Sequence, residues 1–280
     1  MRYTIKQFKS EYPDDDVCLD AVFQNRYGDI QACPKCGVVN PKYYRVKKRK
    51  CYACKDCGNQ LHPLADTIFH KSATPLTTWF FAIYLFSQAK NGVSAKELER
   101  HLGVTYKTAH RIGKQIRLLM QQNSDRLTGI VEGDETYIGG KGGRDWHDRK
   151  TAVMGLTERQ GKAKAQVTQE PDATIAHQFI TSNLTPEAEL HTDESRIYSN
   201  VSRYRTHQTI NHARKEYARD GVTTNTIEGF WSQLKRSLDG TYHCVSPKYL
   251  QSYVNEFVFR YNLRTVAVYP VLIERAWKPV

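Results

Sequence analysis

Cys33-Pro-Lys-Cys36 and Cys54-Lys-Asp-Cys57 are two C-x-x-C pairs with 17 residues between them, a spacing that suits one tetrahedral zinc ion. Cysteines three positions apart on a tight turn reach the same ion. Four thiolates close its coordination shell, so such a site is structural rather than catalytic. A glycine follows each pair, Gly37 and Gly58, so the two CxxCG repeats form equivalent knuckles. Cys51 also stands three residues before Cys54 and is an alternative to Cys57; the repeated glycine favours Cys57. Cys18 and Cys244 read as ordinary thiols, buried or at the surface. Lys47-Lys48-Arg49-Lys50 lies between the knuckles. It reads as a solvated hairpin tip or as a grip on phosphate, which gives affinity without sequence information.

Carboxylates offer a second chemistry. Asp134 follows Ile130-Val131, Asp193 follows Ala188-Glu189-Leu190, and Glu228 sits early in a helical pattern that begins near Asn225. Phosphodiester chemistry uses oxygen ligands for two magnesium ions, and carboxylates from different elements can converge to hold them. The chain has 29 acidic residues, so composition does not select these three, and a single Asp or Glu is by default a solvated surface group. Glu228 and Lys235 are seven positions apart and share one helix face. That pairing suits a metal ligand beside a phosphate contact, and it also suits an ordinary exposed helix.

The elements that must position these groups fall into four regions. Residues 1–30 hold an acidic helix-like stretch, Asp14 to Asn25. Residues 31–70 are rich in Cys, Lys and Gly and have little apolar periodicity, as expected of a metal-dependent ribbon. Residues 71–124 read as helices: TPLTTWFFAIYLFSQA, SAKELERHL and TYKTAHRIGKQIRLLMQQ. Ser94 with Glu97 predicts a capping box, and Gly103 supplies a turn. The next helix begins with Thr105, Tyr106, Lys107, Thr108 and Arg111 near its start. This is helix-turn-helix organisation, with Lys107 and Arg111 as candidate DNA contacts. Residues 125–280 alternate strands and helices. IVEGDETYIGG is a strand running into carboxylates, TAVMGLT and AKAQVTQ a hairpin, and Asp172 the cap of TIAHQFITSNL. AELHTDES and RTHQTI are short strands, and NTIEGFWSQLKRSL and SPKYLQSYVNEFVFRYNLR are helices. The mixture predicts a mixed α+β class, a sheet covered by helices.

The 280 residues carry a formal charge of +12, which points to a polyanionic partner. No run is long and apolar enough for a membrane span, and the N-terminus has no signal-like apolar core. A cytoplasmic protein is expected, and clustered cysteines there argue for metal rather than disulfides.

Asp134-Glu135-Thr136-Tyr137-Ile138-Gly139-Gly140-Lys141, His191-Thr192-Asp193 and Asn225-Thr226-Ile227-Glu228-Gly229-Phe230-Trp231 to Lys235 resemble, in order, three blocks of bacterial insertion-sequence transposases. Gly240-Thr241-Tyr242-His243 and the Tyr253 to Asn262 stretch resemble further blocks, as do CPKCG, CKDCG and the Leu76 to Leu85 helix. The group carries an N-terminal zinc ribbon before an RNase H-like DDE domain. The resemblance implies that Asp134, Asp193 and Glu228 are the DDE ligands of Mg2+ or Mn2+ and that Lys235 contacts substrate DNA. It implies binding of element ends and target DNA, cleavage, and joining of 3′-hydroxyl ends. A homodimer or higher oligomer on DNA and a bacterial, nucleoid-associated location go with it. Asn225 is an alternative for the third position; the seven-residue step to Lys235 favours Glu228. Two other readings are a non-enzymatic DNA-binding regulator and an RNase H-like nuclease that cuts without joining.

Overall fold

Capping residues set the first helices. Thr4 and Gln7 form a reciprocal capping box at the start of α1 (Ile5–Glu11), and the Asp14 carboxylate accepts the Val17 N–H at 2.9 Å to start α2 (Asp15–Tyr27). The structure, a computed structural model, describes residues 3–139, 150–214, 216 and 218–280; Gly140 and Lys141 of the first acidic block lie outside them. Contacts divide the chain into two units. One comprises Met1–Ala89, Val93–Leu119 and Thr265–Val280, the other Lys90–Gly92 and Met120–Arg264. Among the described residues no helix is long and apolar enough to cross a membrane.

In the first unit, β1 (Tyr43–Arg45), β2 (Tyr52–Cys54) and β3 (Gln60–Leu61) make a small antiparallel sheet. Helix α3 (Leu76–Gln88) is apolar on most sides, and Trp79, Phe80, Ile83 and Phe86 are fully buried. A helix of that composition must be surrounded by other elements. The C-terminal helix Val268–Ala276 packs along it, and the Phe80 and Trp277 rings lie 5.4 Å apart. Then come α4 (Ala95–Leu102) and α5 (Tyr106–Leu118), joined by Gly103 at φ +63, a left-handed conformation that favours glycine. Ser94 accepts the Glu97 N–H at 3.2 Å, but the Glu97 carboxylate lies 3.9 Å from His101 Nε2. Half of the expected capping box therefore forms.

Helix α3 in turn depends on a carboxylate of α2. Asp15 accepts both the N–H and the hydroxyl of Thr77, at 2.9 and 2.8 Å, at the first turn of α3. Burial alone would raise this carboxyl, yet the hydrogen bonds from Thr77 and Leu76 outweigh it and hold it below its ordinary value. A carboxyl lowered on folding stabilises the fold above its unfolded value, about 3.9, and loses that contribution as pH falls through the lower folded value. Acid unfolding of the first unit, followed by tryptophan fluorescence, should therefore steepen below about pH 4. Asp15→Asn should flatten that limb and lower stability at pH 7.

In the second unit a five-stranded sheet has the order β6-β5-β4-β7-β8. The strands are β4 (Ile130–Gly139), β5 (Lys150–Glu158), β6 (Ala163–Thr168), β7 (Glu189–Asp193) and β8 (His207–Ile210). The first three are an antiparallel meander, and β7 and β8 run parallel to β4. This is the RNase H-like arrangement. Helix α6 (Ala173–Asn183), capped by Asp172, packs Phe179 and Ile180 against Val131, Met154, Leu156 and Leu190 on one face. Helices α7 (Asn225–Ser237) and α8 (Pro247–Asn262) cover the other, with Ile227, Trp231, Leu234 and Val254 against Val153, Ala163 and Ala165. The sequence pattern ran α5 on to Gln122, but the helix stops at Leu118. Gln122 instead receives the Ala165 N–H at 3.0 Å and donates to the Ala165 carbonyl on β6, bonds a helical position would not reach.

Candidate functional site

The four predicted thiols come together in the ribbon. One ligand atom each from Cys33, Cys36, Cys54 and Cys57 lies within 4.8 Å of the others, and Cys33 and Cys57 Sγ are 3.8 Å apart. Each knuckle closes with the same backbone bond: Gly37 N–H to the Cys33 carbonyl and Gly58 N–H to the Cys54 carbonyl, both 2.9 Å. Both glycines have φ near +70, which is why each knuckle ends in that residue. The N–H groups of Cys36 and Lys35 pull the Cys33 thiol down to about 6, while burial and the neighbouring thiols hold Cys36 and Cys54 above their ordinary value, so one thiolate forms readily and a bound metal would draw out the others. Cys51 stands outside the cluster, buried, with its thiol 3.6 Å from Gln60 Oε1. Lys47, Lys48, Arg49 and Lys50 form the exposed turn between β1 and β2. Lys107 and Arg111 lie exposed on α5, where an Arg111 nitrogen is 3.4 Å from the His70 carbonyl.

The acidic site is built on the alternation of β4. Val131, Gly133 and Glu135 face α6, and Glu132 and Asp134 face α7. The parallel register pairs Val131 with Leu190 and Glu132 with His191. Continued by two residues, it sets Asp134 beside Asp193 on the α7 face. Asp134 receives the Trp231 indole N–H at 3.0 Å and the Glu135 N–H at 2.8 Å. Its carboxyl is pushed up to about 7, first by burial and then by the charges of Glu135 and Asp193. Asp193 accepts the Ser195 N–H at 3.0 Å and is also raised, chiefly by burial. Glu135 receives the Ser195 and Tyr198 hydroxyls at 3.2 and 3.1 Å, and burial raises it as well.

Glu228 lies in the first turn of α7 and is half exposed. The Thr224 hydroxyl donates to it at 2.9 Å, and His212 Nε2 is 3.7 Å away. His212 also favours the charged form of Asp193, so its imidazole sits in the field of both carboxylates. Asn225 is exposed, and its N–H donates to Thr223 Oγ1 at 3.1 Å. Lys235 is exposed two turns further along α7. The three predicted carboxylates do not close to within 4.8 Å; among the described residues only the four cysteines do. The donors fit a hard divalent cation: all are oxygens, and after burial the charges of Glu135 and Asp193 raise Asp134, a repulsion that bound Mg2+ or Mn2+ would offset.

Sequence reasoning missed Trp231, Glu135, Glu132, Arg159 and His212 as parts of this site. The signal for Glu132 was present. An acidic residue two positions before Asp134 in an apolar strand shares its face and must be buried, and buried carboxylates have partners. The Trp231 contact depends on Gly155 in β5, where an added Cβ would stand 2.5 Å from two indole carbons and 3.1 Å from Ile227. Gly155→Ala is therefore expected to push the indole off Asp134. The cost should be roughly 1–3 kcal/mol of stability, seen as a lower denaturant midpoint. An unchanged midpoint would show that the indole has room to move.

Comparison with known proteins agrees with this geometry. Residues 126–262 match the family model described as the ISXO2-like transposase domain, and residues 13–60 match the transposase zinc-ribbon domain. An uncharacterized protein in transposable element ISH50 of Halobacterium salinarum is 27% identical over 281 aligned residues, covering 91% of this chain and 92% of that protein. With a cysteine ribbon ahead of an RNase H-like sheet, and both family models matched in that order, the chain belongs to the insertion-sequence transposases that carry a zinc ribbon before an ISXO2-like domain.

Proposed function

We propose that this transposase cleaves DNA at the ends of its element and joins the freed 3′-hydroxyls to target DNA, with Asp134, Asp193 and Glu228 as ligands of divalent cations. The observation that supports the reading is the parallel pairing of β4 with β7: continued two residues past Glu132 and His191, its register brings Asp134 level with Asp193 on the neighbouring strand, and Asp134 accepts the indole N–H of Trp231 in the second turn of α7. Bound Mg2+ or Mn2+ would activate the attacking oxygen and stabilise the leaving one. The chain's own residues do the rest. Trp231 holds Asp134 from one side, Ser195 holds Asp193, and Thr224 holds Glu228. Lys235 offers a charge to a phosphate two turns along the same helix.

In this reading the ribbon (31–70) holds structural zinc on Cys33, Cys36, Cys54 and Cys57. With the helix-turn-helix region (71–124) it grips element ends, through Lys47, Lys48, Arg49 and Lys50 on phosphates and Lys107 and Arg111 on α5. The part from residue 125 onward carries the chemistry. Two ends must be brought together, so a dimer on DNA is part of the reading, as is action at the bacterial nucleoid. The test is a supercoiled-plasmid assay with Mg2+ on element-end DNA, followed by a strand-transfer assay. Nicking and joining support the transposition chemistry. Nicking without joining leaves a nuclease, and binding without nicking leaves a regulator.

A further inference from the structure

Beneath the acidic site lies a buried polar layer that nothing in the chemistry above uses. Glu132, fully buried on β4, accepts four hydrogen bonds. Its Oε2 receives the N–H groups of Thr226 and Ile227 at 2.7 and 3.1 Å, and its Oε1 receives the Thr226 hydroxyl at 3.1 Å and Arg159 Nε at 3.0 Å. A carboxylate on a neighbouring strand thus caps the first turn of α7. It satisfies N–H groups that have no partner within the helix and meets the positive end of the helix dipole.

Arg159, in the β5–β6 turn, extends the layer. Its guanidinium lies 3.2 Å from His191 Nδ1 and 3.4 Å from the Thr223 carbonyl. Arginine only donates, so Nδ1 accepts, and the ring's Nε2–H faces Glu189 Oε1 at 3.0 Å. Apart from Arg159, each member stands just before one of the proposed metal ligands. Glu132 precedes Asp134 by two on β4, His191 precedes Asp193 by two on β7, and Thr226 and Ile227 lead directly to Glu228 on α7. Strand periodicity puts residues two apart on one face, so the layer repeats the order of the acidic site one step below it.

We propose that Glu132 and Arg159 are positioning residues that lock the start of α7 to β4 and β7 and so set the separation of Glu228 from Asp134 and Asp193. This rests on the metal-ligand reading above. No element other than α7 brings Glu228 to the sheet, and its first turn is tied to the strand by this one carboxylate's hydrogen bonds. Glutamine at 132 keeps the size but turns one oxygen into a donor, which must then face either two helix N–H groups or Arg159.

The test is Mn2+ binding to the zinc-loaded full chain, followed by electron paramagnetic resonance of the free ion, in wild type, Asp134→Asn, Glu132→Gln and Arg159→Lys. Hydrogen exchange at Thr226 and Ile227 is read alongside. Loss of folded protein lowers the number of sites and leaves the affinity of the remainder unchanged, so affinity separates positioning from stability. Asp134→Asn should remove the site. Glu132→Gln should weaken Mn2+ binding about tenfold and speed exchange in the first turn of α7. Arg159→Lys, which cannot span Glu132, His191 and Thr223 together, should weaken it less.

If Glu132→Gln folds and binds Mn2+ as wild type does while Asp134→Asn does not, the positioning role is wrong and the metal reading stands. If Asp134→Asn also binds normally, the metal reading fails and takes this inference with it. If Glu132→Gln does not fold, Arg159→Lys decides: wild-type affinity there overturns the proposal, and weaker affinity supports it.

Discussion

Asp134→Ala should lower DNA cleavage and joining by at least about 10³-fold, because in the proposed mechanism it removes a ligand from cations that stabilise charge in the transition state. Binding of element ends should stay within about twofold, since Asp134 is mostly buried and a carboxylate would repel phosphate rather than attract it. Alanine also leaves the Trp231 indole N–H without its acceptor, which costs roughly 1–3 kcal/mol. Asp134→Asn keeps an acceptor for that N–H and removes the charge. The two variants should therefore be equally inactive but differ in stability. The checks are single-turnover cleavage with Mg2+, gel-shift titration on end DNA, and thermal melting. Cleavage within tenfold of wild type in Asp134→Asn would remove this residue from the chemistry.

The second large effect concerns the ribbon. Cys57→Ser should abolish zinc binding, measured as a fall from about one metal per chain to none, and the ribbon amides should lose their protection from hydrogen exchange. The three short strands bury little around Tyr52, Ala53 and Leu61, too little to fold alone. Structural zinc supplies on the order of 10 kcal/mol in such modules. Cys51→Ser should keep full zinc, because its thiol lies by Gln60 and outside the cluster. End binding should fall with the ribbon and show a steep salt dependence in wild type. If Cys51→Ser loses zinc and Cys57→Ser retains it, the ligand set is Cys33, Cys36, Cys51 and Cys54.

Local information carried the elements and the knuckles. Asp14, Ser94, Thr105 and Asp172 each begin a helix because a short oxygen side chain accepts a nearby N–H, an interaction spanning three residues. The CxxCG repeats were legible for the same reason: ligand reach and the positive φ of Gly37 and Gly58 are settled within five positions. The β5–β6 hairpin likewise follows from two strand patterns and a short turn. The choice of Asp134, Asp193 and Glu228 among many acids was different in kind. It came from resemblance, since charge and spacing along the chain do not say which carboxylates meet.

What only the tertiary structure decided involves partners far apart in sequence. Parallel pairing of β4 with β7 aligns residues about 60 positions apart, and no local rule fixes that register. The burial of Glu132 against α7, the indole of Trp231 on Asp134 and the clasp of Arg159 on His191 each join elements tens of residues apart. The C-terminal helix falls within the stretch 125–280 that the sequence pattern groups with the RNase H-like strands and helices, yet it packs on α3 in the first unit. Its Tyr269 and Trp277 find apolar surface there, beside Phe8, Tyr12 and Phe80. The hydrophobic effect rewards burial without specifying direction. A sequence therefore states which faces must be covered, and the packed chain determines by what.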